Sequence, residues 1–194
     1  IGYTPRSSKS SRANISFIVN TAEYSVKPQT ITLNKGIVAT SRSFGDEDYT
    51  FSIMEDITVP VVNDIATFSN IDVYEGTYVT SEFSYNSYDP NQRFILDNPN
   101  IDISTINVTW KPSEFSSVKR KYRRSDSLFE VDSQSPVYWV QEIEDERYEL
   151  IFGDGVFGIA LQEPNFLEVR YLVNNGKNSN GVSDLLFNGK LTTS

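Results

Sequence analysis

The sequence predicts a mainly antiparallel β protein, with room for some short helices, built as two β-rich lobes of which one is inserted in the other. Three observations predict it. Aromatic residues make up 13% of the 194, with twelve Phe and eleven Tyr, and aromatic and β-branched side chains suit the pleated, half-buried face of a strand. Apolar residues recur in short runs of period two bounded by Gly, Asn, Asp and Pro, the pattern of strands joined by turns. No segment carries a long apolar stripe of period 3.6, so helices are expected to be few and short.

The elements follow in order. Residues 1–13 are polar and basic and read as a leading arm. A first strand is expected at about 14–20, where Ile15, Phe17 and Val19 share one face. Runs at 30–33 and 37–41 flank Asn34-Lys35-Gly36, a glycine turn of the hairpin kind. Phe44 to Asp48 reads as a polar turn and 49–54 as the next strand, which gives a meander of about four strands. Strands are also expected at 66–74 and 77–85 around the two-residue turn Glu75-Gly76, at 93–96, and at 105–110 after the loop signal Asp97-Asn98-Pro99-Asn100. Residues 113–135 change character. From Tyr138 the chain reads as strand, charged turn, strand, a Phe152-Gly153-Asp154-Gly155 corner closed by Gly158, another strand, and a Gly-Asn exit. The lobes are expected at 1–56 joined to 137–194, with 57–136 inserted.

Composition removes several classes of function. Cysteine and histidine are both absent. Thiol nucleophiles, Cys metal sites, Ser-His-Asp triads and His-zinc chemistry are therefore excluded within this chain. A net charge of −9 opposes general nucleic-acid binding, which depends on neutralising phosphates, and makes a membrane-surface role a poor fit. No run approaches the roughly 18 apolar residues of a membrane-spanning helix. The chain starts at Ile1 and holds one Met, Met54, so it is expected to be a piece of a longer protein.

Four constellations carry candidate chemistry. The glycines at 153, 155 and 158 resemble a phosphate loop, but a dinucleotide site needs a helix after the glycines and a Walker loop needs a lysine. A calcium loop needs about five spaced oxygen ligands, and only Asp154 is present. The expected role is a turn whose glycines re-aim the chain, together with Gly176, Asn180 and Gly181 at the exit. Glu142, Glu144, Asp145 and Glu146 contain a carboxylate pair of the kind that hydrolyses glycosides, although a hairpin tip makes solvated charge the default. Lys119, Arg120, Lys121, Arg123 and Arg124 read as a solvated loop or as a contact to an acidic neighbour, including a second copy of this acidic chain. The sequons at Asn14 and Asn107 fall inside expected strands. No catalytic, cofactor or metal residues are assigned.

The corner Phe152-Gly153-Asp154-Gly155 with Gly158, then Val169-Arg170-Tyr171, then Gly176 with Asn180-Gly181, resembles the baseplate J-like proteins of contractile-tail bacteriophages, in particular the baseplate wedge subunit of the T-even type. Three upstream blocks are similar to that family: Gly2-Tyr3-Thr4-Pro5-Arg6 with Ala13-Asn14-Ile15; Thr30 to Gly36 with Tyr49-Thr50-Phe51; and Asn91-Gln92-Arg93-Phe94 through Asn100–Thr105. The match is most specific over 137–181 and weakest over 113–135. The resemblance implies a non-enzymatic virion component of the tail baseplate, assembled in the host cytoplasm. It also implies a scaffold around the tail hub that joins other wedge proteins and further copies of itself, without cofactor, nucleic acid, membrane or small-molecule substrate. The rival reading is a carbohydrate-binding or glycan-hydrolysing β-module, which would show coplanar exposed aromatics beside a carboxylate-lined groove.

Overall fold

A computed structural model describes residues 7–41, 48–179, 181–182 and 184–194. The chain divides into two compact units. One, the frame, is Lys9–Tyr78 with Asn174–Ser194; the other, the insert, is Val79–Val173 with the described part of 1–8. These limits differ from the expected 1–56 plus 137–194 and 57–136, because hydrogen bonding assigns the strands otherwise. The strands between 57 and 75 pair inside the frame, and those between 137 and 173 pair inside the insert.

The frame contains β1 (Arg12–Asn20), β2 (Thr30–Leu33), β3 (Gly36–Ser41), β4 (Thr50–Ile53), β5 (Ile57–Val62) and β6 (Ile65–Glu75), with β14 (Leu185–Phe187) and β15 (Leu191–Thr193) from its second segment. They form a sheet in the order β14-β3-β4-β6-β5-β2-β15, with β1 on the remaining edge of β6. All of these pairs are antiparallel. The expected four-strand meander is therefore corrected. Asn34-Lys35-Gly36 closes no hairpin, since β2 pairs with β5 and β15 while β3 pairs with β4 and β14. The core gathers Ile31, Leu33, Val38, Phe51, Phe68 and Val73. Phe17 stacks on Phe68 with ring centroids 4.6 Å apart.

At the exit from the insert, Glu75 is fully buried. Both its oxygens accept from the Asn175 N–H at 3.2–3.3 Å, and Oε1 also accepts from Asn175 Nδ2 at 3.1 Å. Burial pushes its carboxyl above the ordinary value, and the Asn175 and Ser179 donors only partly offset that.

The insert holds β7 (Thr77–Ser84, which begins in the frame), β8 (Phe94–Leu96), β9 (Ile101–Lys111), β10 (Arg120–Arg124), β11 (Val137–Glu142), β12 (Tyr148–Phe152) and β13 (Phe166–Val173). Their order is β7-β13-β9-β10-β11-β12-β8. Glu75-Gly76 thus leads from one sheet into the other and closes no hairpin. The sheet curls: Phe83 on β7 meets Phe94 on β8 edge-on at 5.6 Å, although these are its two edge strands. Inside lie Leu96, Ile101, Leu150, Leu167, Tyr138 and Tyr171. The Tyr138 hydroxyl donates to the Ile106 carbonyl at 2.9 Å, and burial pushes its pKa up to about 12. Lys111 and Glu168 form a 2.7 Å ion pair with side chains only 10% and 15% exposed.

One pair in the insert is parallel: Arg123 faces Val137 and Arg124 faces Tyr138. The basic run is therefore strand β10, in place of the expected loop. Tyr122, buried at its centre, is the side chain that ties it to the core.

Candidate interaction surface

Parallel neighbours cannot be joined by a tight turn; the chain must cross over the sheet. Between β10 and β11 the crossover is residues 125–136, and short polar bonds shape it. Ser125 Oγ donates to the Ser127 carbonyl at 2.7 Å, the Phe129 N–H donates to Ser127 Oγ at 2.9 Å, and Arg124 Nε donates to Asp126 at 3.0 Å. Asp132 Oδ1 accepts from Ser135 Oγ at 2.7 Å and from the Gln134 N–H at 3.0 Å. The first of these bonds does most to hold that carboxyl below the ordinary range.

The glycine corner docks on this loop. The Gly158 N–H donates to the Asp132 carbonyl and the Ile159 N–H to the Ser135 carbonyl, both at 2.9 Å, while Gly155 N–H donates to the Gly158 carbonyl at 3.0 Å. Glycine is required at 153 because an added Cβ would sit 2.3 Å from the Gly158 carbonyl carbon. At 158 it is required because φ is +86° and a Cβ would lie 2.9 Å from Val137 Cγ2. Asp154 Oδ1 accepts the Val156 and Phe157 N–H groups, each at 2.8 Å. The Phe157 bond, then the Val156 bond, hold its carboxyl below the ordinary range. Phe152 anchors the corner from within, its ring 5.2 Å from Phe94 and 5.7 Å from Tyr122.

Loop and corner together enclose a groove of ≈ 710 Å³ over β11 and β12, lined by Leu128, Phe129, Trp139, Ile151, Phe152 and Phe157, with Asp126, Ser127 and Asp154 at its margin. Phe129 is 89% exposed and Leu128 56%, which is costly for side chains of this size unless something covers them. Both marginal carboxylates are already engaged, Asp126 by Arg124 and Asp154 by the backbone of its own loop. The groove can therefore bury apolar side chains, and its polar groups are occupied in holding its walls.

The other candidates lie elsewhere. Gly176 opens a 3-10 turn, Gly176–Ser179, with its N–H donated to Asn174 Oδ1 at 2.7 Å. Gly181 has φ +96°, and Asn180 lies outside the described residues. Lys119, Arg120, Lys121 and Arg123 are exposed and Arg124 is half-buried. The Arg120 guanidinium lies over the Trp110 ring, 5.4 Å from its centroid. Arg124 bonds Asp126 and, at 3.2 Å, the Ile103 carbonyl. Glu144, Asp145 and Glu146 are exposed on a 3-10 turn in which Asp145 has φ +62°. Glu142 and Glu146 border a separate ≈ 270 Å³ hollow with Ser8, Asn100 and Tyr148. Among the described residues, no group of three or more acids is placed to hold a metal ion.

The sequence reading missed Leu128, Phe129, Trp139 and Ile151 as a surface. The available signal was Leu128-Phe129, an apolar pair amid Ser, Asp and Glu, too short a run to be a strand and too apolar for a free loop.

No curated protein matches the chain. Residues 80–178 match the family model for bacteriophage baseplate wedge protein gp6, third domain, a span that coincides closely with the insert at Val79–Val173. With half of its length covered by that match, the chain belongs to the baseplate wedge protein gp6 third-domain family.

Proposed function

We propose that this chain is a non-enzymatic wedge subunit, of baseplate J-like type, in the baseplate of a contractile phage tail. It is assembled in the host cytoplasm as a scaffold around the tail hub. The observation that carries this reading is an exposed apolar groove on the unit that matches a wedge-protein domain. An exposed apolar groove with polar groups at its rim is the kind of surface that another protein covers. Its occupant is an aliphatic or aromatic anchor from a neighbouring wedge protein, because the groove's own carboxylates are already bonded. The exposed Lys119, Lys121 and Arg123 suit an acidic neighbour, a second contact of the same assembly. Tail contraction needs parts that keep their shape while interfaces switch, and a curled sheet with a glycine-locked corner suits that work.

The groove has aromatics beside two carboxylates, one part of the carbohydrate signature, which also calls for coplanar exposed rings; that reading stays as the alternative. Sugar hydroxyls need polar partners, and the engagement of Asp126 and Asp154 weighs against it.

Co-expression with the other wedge proteins of the same phage tests both. The wild-type chain is expected to enter a wedge complex, and Phe129→Asp is expected to fold and stay out of it. Exclusion of the wild-type chain, or specific glycan binding lost in Phe129→Asp, would overturn the proposal.

A further inference from the structure

We infer that Asn188 is a site of spontaneous deamidation, converting to Asp or isoAsp without any enzyme, and that Glu75 guards the Asn175-Gly176 step against the same reaction. The chemistry does not depend on what the chain assembles with, so it stands or falls separately from the proposed function.

An asparagine followed by glycine can react with its own backbone. The glycine nitrogen gives up its proton and adds to the side-chain Cγ; Nδ2 takes up a proton and leaves as ammonia. Water then opens the resulting succinimide at either of its carbonyls, giving Asp or isoAsp. One water enters and one ammonia leaves, with no cofactor or oxidant consumed. Glycine favours the step because it has no Cβ to shield the attacking nitrogen. The described residues hold two such steps, Asn175-Gly176 and Asn188-Gly189; in a third, Asn180-Gly181, the asparagine lies outside them.

Both described asparagines are exposed, so access to water does not separate them. Hydrogen bonding does. The Gly176 N–H donates to Asn174 Oδ1 at 2.7 Å, which keeps the proton on the nitrogen that must attack. The Asn175 side chain is held as well: Nδ2 donates to Oε1 of the buried Glu75 at 3.1 Å, and the Asn175 N–H bonds both oxygens of that carboxylate. Cγ can swing onto the Gly176 nitrogen only if these bonds break. At Asn188 the reacting atoms are loose. The Gly189 N–H donates to no backbone or side-chain acceptor among the described residues. Asn188 Nδ2 reaches Thr40 Oγ1 at 3.5 Å, beyond the ordinary range of such bonds. The glycine itself is fixed by packing, because a Cβ at 189 would lie 2.8 Å from Leu33 Cδ1 and from the Phe187 ring. The frame therefore keeps a reactive step in place.

The product bears on the frame. β14 and β15 are the two ends of its sheet path, and Asn188, Gly189 and Lys190 alone join them, a link of at most about 14 Å. The link is pinned at both ends: the Asn188 N–H donates to the Val38 carbonyl at 3.0 Å, and the Lys190 carbonyl accepts the Asn34 N–H at 2.9 Å. An isoAsp at 188 adds a carbon to the backbone between these pins, beside a glycine with no room to move. β14 and β15 are expected to loosen.

The test ages the full chain in mildly alkaline buffer, folded and, in parallel, unfolded in urea. Mass spectrometry of tryptic peptides reads each asparagine as amide or acid, and fragmentation separates Asn188 from Asn180 on their shared peptide. The folded chain is expected to convert Asn188 at least about tenfold faster than Asn175, a barrier difference of about 1.4 kcal/mol. Unfolding is expected to bring the two rates together. Hydrogen exchange on the aged, folded chain is expected to rise across β14 and β15, and to stay low in aged Asn188→Gln, whose longer side chain closes the ring far more slowly. An Asn188 that stays intact, an Asn175 that converts as fast in the folded chain, a rate gap that persists in urea, or exchange that rises equally in Asn188→Gln would each overturn the inference.

Discussion

Gly153→Ala probes the corner most sharply. The new methyl carbon would lie 2.3 Å from the Gly158 carbonyl carbon and 2.5 Å from its oxygen, about 1 Å inside ordinary van der Waals contact. Both neighbours are backbone, so no rotamer change relieves the clash, and the two arms of the corner must separate. Separation puts at risk three backbone bonds, Gly155 to Gly158, Gly158 to Asp132 and Ile159 to Ser135. At about 0.5–1.5 kcal/mol each, the loss comes to about 3 kcal/mol. Gly155→Ala is the internal control. Its φ is +90°, but the nearest atom to an added Cβ is Ala160 Cβ at 3.7 Å, so it costs only the left-handed conformation, about 1–2 kcal/mol. Urea unfolding followed by tryptophan fluorescence reads the insert selectively, since Trp110 and Trp139 both lie in it. A thermal scan is expected to drop about 6–12 °C for Gly153→Ala, at about 2–4 °C per kcal/mol for a chain of this size. A Gly153→Ala variant no less stable than Gly155→Ala would refute the steric account of the corner.

Three further outcomes are expected. The bonds to Asp154 hold its folded value below the unfolded one; their contribution is therefore fully present above the unfolded value of about 3.9 and is lost as pH falls from there through the lower folded value. Asp154→Asn keeps an acceptor oxygen and should flatten that acid-side decline, read as the urea midpoint against pH. Glu75 shifts the other way under burial. Its folded state holds the proton more tightly, so stability declines as pH rises from about 4.5, and Glu75→Gln should lessen that decline. Glu168→Gln leaves the Lys111 ammonium, 10% exposed, without its main counter-charge. The variant should lose about 2–4 kcal/mol in the tryptophan assay, while Lys111→Met with Glu168→Leu recovers most of it.

Much of the strand content was legible because local pattern decides it. The alternation of Ile15, Phe17 and Val19 marks β1, and that of Ile106, Val108 and Trp110 marks β9. Pairing was not legible. Asn34-Lys35-Gly36 has hairpin chemistry, yet β2 takes β5 and β15 as partners, a choice made by residues tens of positions away. β10 escaped notice because, among its five residues, Tyr122 alone is apolar and buried; period two cannot show in a strand with one inward anchor. The glycine corner could be read as a turn from its composition, since steric need for glycine is local. That it also walls a groove could not. Leu128 and Phe129 reach the groove only because β10 and β11 run parallel and force the chain across the sheet.

A reconstruction of the tail baseplate of the phage that encodes this chain tests the central claim most directly. The account predicts density for the chain in the wedge, with Leu128, Phe129 and Phe157 covered by a side chain of a neighbouring baseplate protein. A virion without the chain, or a baseplate in which that groove faces open solvent, would contradict it.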